Sequence, residues 1–388
     1  MYLQTEDYGT LFVCLVFLIK RRGVTLGKLK KYEEIKQYIM NGIHSGVLAP
    51  GDKVPTEVEL MEMFTVSRNP VRKALSCLSD EGYLNKIHGS GSFVREKALS
   101  EEINIYVIMF YNRYLESQII YGMRKAVDNC FYKNINLILK RPGRSTSEYI
   151  EVLESIQKRD KCGVLCIPLI DRTLSFNKLL ESSLRKLEKS AIPLVQVDQF
   201  VPGLRGSCIM SDHSRGAADM LRLILEQGHR SVAVFHETLI NPSLQLRIEG
   251  IELVLGDCPN MDINLIYYSV DPDDVEKEGE QLLKKLKEEK VSAIFCMTSE
   301  LAFHIHRLFS ESGLEIPGDI SLCSFDDHSF LVEGVENNIT AVIQPFENIG
   351  YYSVNILLDQ ILGRTSGQVK MLLEPEIVQR RSLKTLSP

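Results

Sequence analysis

Short apolar runs separated by amphipathic stretches fill the sequence between residues 103 and 383. Helical periodicity is visible between most of these runs, for instance in 117–130, 147–158, 215–227 and 275–289. Strands that alternate with helices form parallel sheets, because each helix returns the chain to the same sheet edge. The apolar runs are INIYVIMF, NLILK, GVLCIP, PLVQVD, SCIMSD, SVAVFH, INLIYYSV, AIFCMT and SLCSFDD. This pattern predicts an α/β body.

The runs are too numerous for one compact lobe, so we expect two doubly wound lobes around a cleft. In such lobes ligands bind beyond the carboxyl ends of the strands. Polar residues that directly follow a strand are therefore the candidates for a binding site. They are Tyr111, Asn112, Arg141, Asp198, Asp212, Ser299 and Asp326.

Motifs of the common α/β enzymes are missing from the sequence. It has no Gly-x-Gly-x-x-Gly after the first strand, no Gly-x-x-x-x-Gly-Lys, no Gly-x-Ser-x-Gly and no His-Glu-x-x-His. Asp326 and Asp327 are adjacent at a strand end and point apart, so they are not a catalytic pair. We predict a binding protein without catalytic residues or cofactor, and keep an enzyme on an α/β scaffold as the alternative.

The cysteines indicate a reducing compartment. They number nine, an odd count, and most lie in apolar runs, which is typical of buried thiols in a cytoplasmic protein. Cys162 and Cys166 have no further ligands at zinc-finger spacing. His304 and His306 are two apart on a predicted helix and face different ways. We therefore predict no metal site.

The first 27 residues are a separate extension. Their apolar stretch LFVCLVFLI is too short to span a bilayer, and it follows Glu6 and Asp7 where a signal peptide has basic residues. We expect the extension to be disordered or to result from a misplaced start, with Val24 as the first codon. The sequence thus predicts no membrane partner.

Three short helices and a hairpin are predicted for residues 28–96. The first helix carries apolar residues at helical spacing and ends at Gly46; the second opens with a capping box formed by Thr56 and Glu59. Ser67 precedes the third helix, in which Pro70 lies within the first turn, and Gly82 ends it. The expected buried positions are Tyr32, Ile35, Ile39, Ile43, Leu60, Met63, Phe64, Val71, Leu75 and Leu78. YLNKI and SFVRE are strands joined by HGSG, which completes a winged helix-turn-helix.

The third helix is the candidate for the major groove of DNA. The guanidinium group of Arg can donate two hydrogen bonds to the edge of guanine, and the amide of Asn can pair with the edge of adenine. A hydroxyl group or a glycine-rich wing can approach the phosphates. The segment 28–97 carries eleven Lys and Arg against nine Asp and Glu, although the whole chain has a net charge of -6. The candidate DNA-binding residues are Thr56, Ser67, Arg68, Asn69, Arg72, Lys73, His88, Gly89, Ser90 and Gly91. The alternative is a solvated basic helix in a small structural domain.

PTEVEL, VSRNPVRKAL and GSGSFV carry a resemblance to the GntR family of bacterial regulators over about 65 residues. The resemblance implies DNA binding by a winged head. Where Pro70 stands the family usually has Thr, so the resemblance implies one hydroxyl contact to phosphate fewer.

The body resembles the LacI/GalR effector domain, which shares its fold with type I periplasmic sugar-binding proteins. The likeness rests on SDHSRGAADMLRLILEQGHRSVAVF, on LRIEG, on SAIFCMTSELAFHIHRLFSESGLEIPGDISLCSFDD and on ITAVIQPFENIGYYSVNILLDQILG. It implies a sugar effector in the cleft, bound by hydroxyl contacts to Arg247, Asp326 and Gln344. Tyr111 and Asp212 are the candidates from the other lobe.

One departure bears on the effector. The family usually has Asn-Asp where this chain has Thr298-Ser299, so Ser299 replaces a charged acceptor. A GntR-type head on this body resembles the Gram-positive arabinose repressors. The effector therefore stays open between L-arabinose, a related pentose, another sugar and a phosphorylated sugar.

The predicted organisation is an extension at 1–27, a winged helix-turn-helix at 28–96, a linker at 97–102 and an effector and dimerisation domain at 103–383. The resemblance implies a cytoplasmic homodimer that represses carbohydrate genes from a palindromic operator and is released by its sugar. Two alternatives stay open, a sugar-binding lipoprotein of a transporter and a sugar-dependent activator.

Overall fold

The chain divides into two compact units, and the main boundary between them along the sequence lies between residues 101 and 102. The computed structural model describes residues 31–44, 47–80, 82–87, 89–95, 102–109, 113–130, 134–142, 146–156, 161–168, 174–239, 241–327, 338–365 and 367–386. The predicted extension 1–27 and nearly all of the predicted linker 97–102 lie outside these residues. The domain boundaries stay predictions.

The first unit has the elements of a winged helix-turn-helix. Its helices are α1 (Lys31–His44), α2 (Glu57–Phe64) and α3 (Arg68–Asp80), and its strands are β1 (Leu84–Ile87) and β2 (Gly91–Val94). The strands pair antiparallel, with Leu84 opposite Val94. Gly82 follows α3 with a φ of 82°, a left-handed conformation in which glycine is not strained.

Apolar residues from all three helices form the core of this unit. Ile35, Ile39, Leu60, Val71 and Leu78 are completely buried.

The prediction that Met63 is buried was wrong, because its side chain is 52% exposed. Phe64 packs edge-to-face on Tyr38 of α1, with 5.4 Å between ring centroids. On a helix, Met63 and Phe64 lie on opposite flanks of Leu60. Since α1 covers the Phe64 flank, Met63 faces solvent.

The second unit contains two lobes, each built on a six-stranded sheet. The chain first forms β3 (Ile103–Ile108), α4 (Arg113–Asp128), β4 (Ile135–Lys140), α5 (Thr146–Glu154), β5 (Cys162–Cys166), α6 (Leu174–Lys189), β6 (Leu194–Val197) and β7 (Ser207–Ser211). It continues with α7 (His213–Glu226), β8 (Ser231–His236), α8 (Pro242–Asp257), β9 (Asn264–Ser269), α9 (Gly279–Glu288), β10 (Ala293–Cys296), α10 (Ser299–Glu311), β11 (Ser321–Phe325) and β12 (Thr340–Ile343). It ends with α11 (Phe346–Ile361), β13 (Lys370–Leu373) and β14 (Glu376–Val378).

The strand order is β4-β3-β5-β6-β7-β13 in the first lobe and β9-β8-β10-β11-β12-β14 in the second. The pairs are parallel, except that β14 runs antiparallel to β12. The prediction of two doubly wound lobes is confirmed.

The chain passes between the lobes three times. It leaves the first sheet after β7, and α7 packs on β11, β12 and β14 of the second. It returns after β12, where α11 packs on β5, β6 and β7, and it crosses again between β13 and β14.

Glycines allow two pairs of helices to pack closely. A Cβ on Gly122 of α4 would lie 1.9 Å from the carbonyl oxygen of Glu347 in α11. A Cβ on Gly250 of α8 would lie 2.0 Å from the carbonyl oxygen of Ser214 in α7. Both helix pairs therefore require glycine at the contact. Among the helices formed by described residues, none has the length and apolar character needed to cross a bilayer.

Candidate DNA-binding surface and effector site

The first turn of α3 presents the predicted base-contacting residues to solvent. Arg68 and Arg72 are 61% and 55% exposed in their side chains, and Asn69 is exposed beside them. Ser67 is exposed directly before the helix. These side chains can reach a DNA groove without a change in the fold of the head.

Both arginines are bound to a carboxylate that the sequence analysis did not single out. Glu57 in the first turn of α2 accepts from Nε of Arg68 at 2.7 Å and from Nε of Arg72 at 3.2 Å. The hydrogen bond from Arg68, aided by Arg72, lowers the pKa of Glu57. Glu57 is eleven residues from Arg68, so the contact depends on how α2 packs against α3, which motif spacing does not show.

Two further candidates are engaged within the head. The Thr56 hydroxyl accepts from the backbone N–H of Glu59 and donates to its carboxylate, which confirms the predicted capping box. Lys73 lies over the ring of Tyr32, 4.2 Å from the centroid. Contacts of Thr56 and Lys73 with DNA stay predictions.

The wing contains a tight turn. The backbone N–H of Ser90 donates to the carbonyl oxygen of Ile87 at 3.0 Å, and Gly89 and Gly91 have φ values of 80° and 119°. A cleft of about 330 Å³ separates the wing from the start of α2 and is lined in part by Lys53 and Lys86. His88 lies outside the described residues.

In the body, Arg247 of α8 is the centre of a buried polar cluster. It is 6% exposed. Its Nε donates to Nδ1 of His213 at 3.3 Å, and its Nη2 donates to Asp326 at 3.4 Å. Nη1 donates to the carbonyl oxygen of Met297, and the guanidinium stacks 3.7 Å from the ring centroid of Phe325. Three of its nitrogens are thus engaged within the protein.

Asp326 links Arg247 to the third residue implied by the resemblance. Its Oδ1 accepts from Nε2 of Gln344, which is buried at the end of β12. The neighbouring Asp327 instead accepts from Arg380. The two aspartates have different partners, as predicted for adjacent residues at a strand end.

Asp198 brings a second aspartate into the cluster from the first lobe. It follows β6, the fourth strand of its sheet, as Asp326 follows β11, the fourth strand of the other. Their φ values are 66° and 70°, and each backbone N–H donates to the next strand, to Ile209 and Val342 respectively. Burial raises the pKa of Asp198 to about 7. The charge of Asp326 also raises it, whereas the charge of Arg247 lowers it.

Three buried atoms of this cluster have no hydrogen-bond partner: Oδ1 of Asp198, Nε2 of His213 and Oε1 of Gln344. Burial and the Arg247 charge, opposed by the nearby backbone of Asp198, hold the pKa of His213 well below its usual value, so the ring is neutral. Since Nδ1 accepts from Arg247, Nε2 carries the proton and is a donor. The cluster therefore offers one donor and two oxygen atoms to a ligand.

The remaining candidates are placed differently. Asp212 caps α7 by accepting from the backbone N–H of Arg215 at 3.0 Å. Ser299 is buried as the first residue of α10, and the preceding Thr298 caps that helix and donates to Glu237 at 3.2 Å. Tyr111 lies outside the described residues.

From the sequence, Asp198 was expected only as a polar residue after a strand, and His213 and Glu237 were not expected in the site. The partners of these three residues are distant in sequence and are brought close only by the tertiary fold. Within the parts of the chain that the structure describes, no group of three His, Cys, Asp or Glu side chains could hold a metal ion. The described cysteines are free thiols.

Two parts of the chain each match the model of a known protein family. Residues 31–94 match the model of bacterial regulatory proteins, gntR family, and residues 221–383 match that of a periplasmic binding protein-like domain. The arabinose metabolism transcriptional repressor of Geobacillus stearothermophilus is 27% identical over 92% of this chain and 99% of its own length. The protein of the same name from Halalkalibacterium halodurans is 24% identical over 91% and 96%.

Solved structures show the same fold at lower identity. A complex of the transcriptional regulator CelR with cellobiose has a TM-score of 0.58 and 21% identity, covering 82% of this chain and 91% of that one. A LacI family regulator from Enterococcus faecium with bound ribose has a TM-score of 0.58 and 20% identity, covering 73% and 100%. The chain therefore joins a DNA-binding head of the gntR family of bacterial regulators to a periplasmic-binding-protein-like effector domain.

Proposed function

We propose that this chain is a transcriptional repressor that leaves its operator when a sugar binds between the two lobes of the body. The observation that carries the proposal is the set of three unpartnered buried atoms around Arg247. A buried polar atom without a partner destabilises a protein by about 1–3 kcal/mol. A ligand that satisfies these atoms would therefore stabilise the arrangement seen here.

A sugar fits this set because each hydroxyl both donates and accepts. The proton on Nε2 of His213 requires an acceptor, whereas Oε1 of Gln344 requires a donor. Asp198 Oδ1 accepts when ionised and can donate when protonated. Adjacent hydroxyls on a sugar ring meet all of these requirements at once.

The specific effector we propose is L-arabinose. It is supported by two relatives named for arabinose metabolism, each matched over more than nine-tenths of this chain. We propose that the chain acts in the cytoplasm as a homodimer on a palindromic operator and performs no catalysis. Two winged heads would then occupy half-sites one or more helical turns apart.

Sugar and DNA influence each other through the two arrangements that the protein can adopt. A sugar shifts the equilibrium only if it binds the DNA-free arrangement more tightly than the DNA-bound one. The same coupling free energy then weakens sugar binding when operator is present. This account needs no direct contact between the two ligands.

The test measures thermal unfolding with L-arabinose, D-ribose and cellobiose, using the wild-type chain, Arg247→Ala and Arg215→Ala. Arg215 lies on α7 of the same lobe, where it pairs with Asp219 and Glu374 at the surface. We expect L-arabinose to raise the unfolding temperature of the wild type and of Arg215→Ala and to leave Arg247→Ala unchanged. A full shift in Arg247→Ala would contradict the site.

Binding to DNA separates this function from its alternatives. Fluorescence anisotropy with DNA from upstream of the chain's own gene should show specific binding that L-arabinose weakens. Sugar-strengthened binding would instead support an activator, and no binding to any duplex would support the transporter-associated alternative. Arg72→Ala should weaken specific binding by about 1–3 kcal/mol if Arg72 pairs with guanine.

A further inference from the structure

We propose that the effector site selects ligands by charge and that Glu237 is the specificity-determining residue that makes it reject negatively charged sugars. The effector is then an unphosphorylated sugar without a carboxylate. This inference rests on the proposed function, because it concerns the same site between the lobes. It gives a physical reason for a neutral effector such as the proposed L-arabinose, whereas the sequence left a phosphorylated sugar open.

Carboxylates dominate the strand ends of the second lobe. Glu237 follows β8 and Asp326 follows β11, and both interact electrostatically with Arg247. Burial raises the pKa of Glu237, and the charges of Glu300 in the first turn of α10 and of Asp271 after β9 raise it further. Of these side chains, Glu237 and Asp326 act directly on the guanidinium of Arg247.

Glu237 is held in place by the strand next to it. β8 and β10 are neighbours in the sheet, so their carboxyl ends lie side by side. The hydroxyl of Thr298, which follows β10, donates to Oε1 of Glu237 at 3.2 Å. The preceding residue, Met297, accepts from Arg247. Glu237 and Arg247 are therefore fixed to consecutive residues of one strand end.

This contact gives a role to the residue that departs from the family pattern. The resemblance implies an Asn-Asp pair where Thr298 and Ser299 stand. Here the hydroxyl of Thr298 donates to Glu237, so the carboxylate held beside Arg247 at this edge follows β8. The negative charge at this edge is thus retained through a different residue.

Arg247 is poorly placed to bind a phosphate or a carboxylate. Recognition of these groups by arginine uses two parallel N–H donors of the planar fork. Nε, Nη1 and Nη2 of Arg247 already donate to His213, Met297 and Asp326. These are three of its five N–H donors, so an anionic ligand could reach only the one that remains on each Nη, beside the carboxylates of Glu237 and Asp326. Like charges in a partly buried site repel strongly because screening by water is weak.

The experiment compares near-isosteric sugars that differ in charge by isothermal titration calorimetry at 0.15 M salt. The ligands are D-galactose, D-galacturonate and D-galactosamine, together with L-arabinose, D-ribose and D-ribose 5-phosphate. The measured quantity is the ratio of the affinity for a neutral sugar to that for its anionic counterpart. We expect this ratio to be at least tenfold in the wild-type chain.

Glu237→Gln should reduce that ratio by roughly tenfold, because it removes the charge and keeps the shape. Glu249→Gln is the matched control, since Glu249 is exposed on the helix that carries Arg247. The control should retain the wild-type ratio. The outcome is a ratio of affinities, so a change in overall affinity common to all ligands does not affect it.

The possible failures are distinguishable. If an anionic sugar binds the wild type as tightly as its neutral counterpart, the inference is wrong and the proposed function stands. If discrimination persists unchanged in Glu237→Gln, Glu237 is not the residue responsible. If no sugar of any charge binds, the proposed function is wrong, and this inference is wrong with it.

Discussion

Asp198 and Asp326 occupy the same place in the two lobes and have the same left-handed backbone, but their surroundings differ. Asp326 has both Arg247 and Gln344 as partners. Asp198 is buried and its Oδ1 has no partner. Of these two equivalent positions, Asp198 is driven towards its protonated form.

The difference predicts a pH-dependent stability. The pKa of Asp198 rises from 3.8 to about 7 in the native chain, which therefore binds more protons than the unfolded chain between these values. Its contribution to the free energy of unfolding is complete at low pH and is lost as pH rises towards 7. Asp198→Asn cannot titrate, so it should be more stable than wild type at pH 8 by roughly 2–4 kcal/mol.

Urea unfolding of both chains at pH 5 and pH 8 measures this effect. The advantage of Asp198→Asn should grow between the two pH values. An advantage that is equal at both would mean that Asp198 is already ionised throughout this range.

Glu57 pairs with both arginines in the first part of α3, the candidate recognition helix. It neutralises part of the positive charge of Arg68 and Arg72 in the free protein. Glu57→Gln should free both side chains for phosphates, so binding to random DNA should tighten and depend more steeply on salt. Anisotropy titrations at several salt concentrations measure the affinity for operator and for random duplexes and how steeply each affinity depends on salt.

Specificity is the second outcome for Glu57→Gln. Since the carboxylate fixes the orientation of both guanidinium groups, its loss should lower the ratio of operator to random affinity. If neither the operator-to-random affinity ratio nor the salt dependence of binding changes, the ion pairs seen here do not persist in solution. Glu62→Gln, an exposed position on the same helix, is the control.

At the scale of elements, the outer layers of the body depend on helices that approach until their backbones touch. Gly250 of α8 faces the carbonyl oxygen of Ser214 in α7, whereas Gly256 of the same helix has no neighbouring atom within 4 Å of an added Cβ. The same substitution in one helix can therefore have opposite effects.

Gly250→Ala should be destabilising by several kcal/mol, because the two helices must separate. Gly256→Ala should be stabilising by about 0.5–1 kcal/mol, because alanine favours the helix. Chemical denaturation of the two variants and the wild type measures the difference. Equal effects would contradict the close approach of α7 and α8.

Elements were predictable from the sequence where burial imposes a pattern on it. The nine apolar runs all became strands, β3 to β11, and seven of these are inner strands of their sheets, which are covered on both faces. β12, a buried strand of only four residues, was not among them, nor were β13 and β14. Both lie at sheet edges and alternate exposed with partly buried residues, so they leave no apolar run in the sequence.

The site was predictable only in part, for a related reason. The resemblance indicated Arg247, Asp326 and Gln344, and the structure brings these three residues together. Asp198 joins them only because the lobes face each other, and Glu237 joins them because β8 lies beside β10. Such contacts depend on tertiary packing, which neither periodicity nor spacing along one chain encodes.

At the scale of the whole molecule, the function depends on coupling between two binding events. We expect the factor by which L-arabinose weakens operator binding to equal the factor by which operator weakens L-arabinose binding. Anisotropy with and without sugar gives the first factor, and calorimetry with and without operator gives the second. Unequal factors would indicate a further equilibrium, such as a change in oligomeric state.

Because the chain crosses between the lobes, the first lobe can be completed only late in translation, long after the head. The first lobe takes α11 and its last strand from Phe346–Ile361 and Lys370–Leu373. Its sheet therefore stays unfinished until translation is nearly over, whereas the head ends at about residue 95. At roughly 5–20 residues per second, a nascent chain carries a finished head without a finished sensor for about 15–60 s. During that interval the ribosome-bound chain has the parts that read DNA but cannot yet respond to a metabolite.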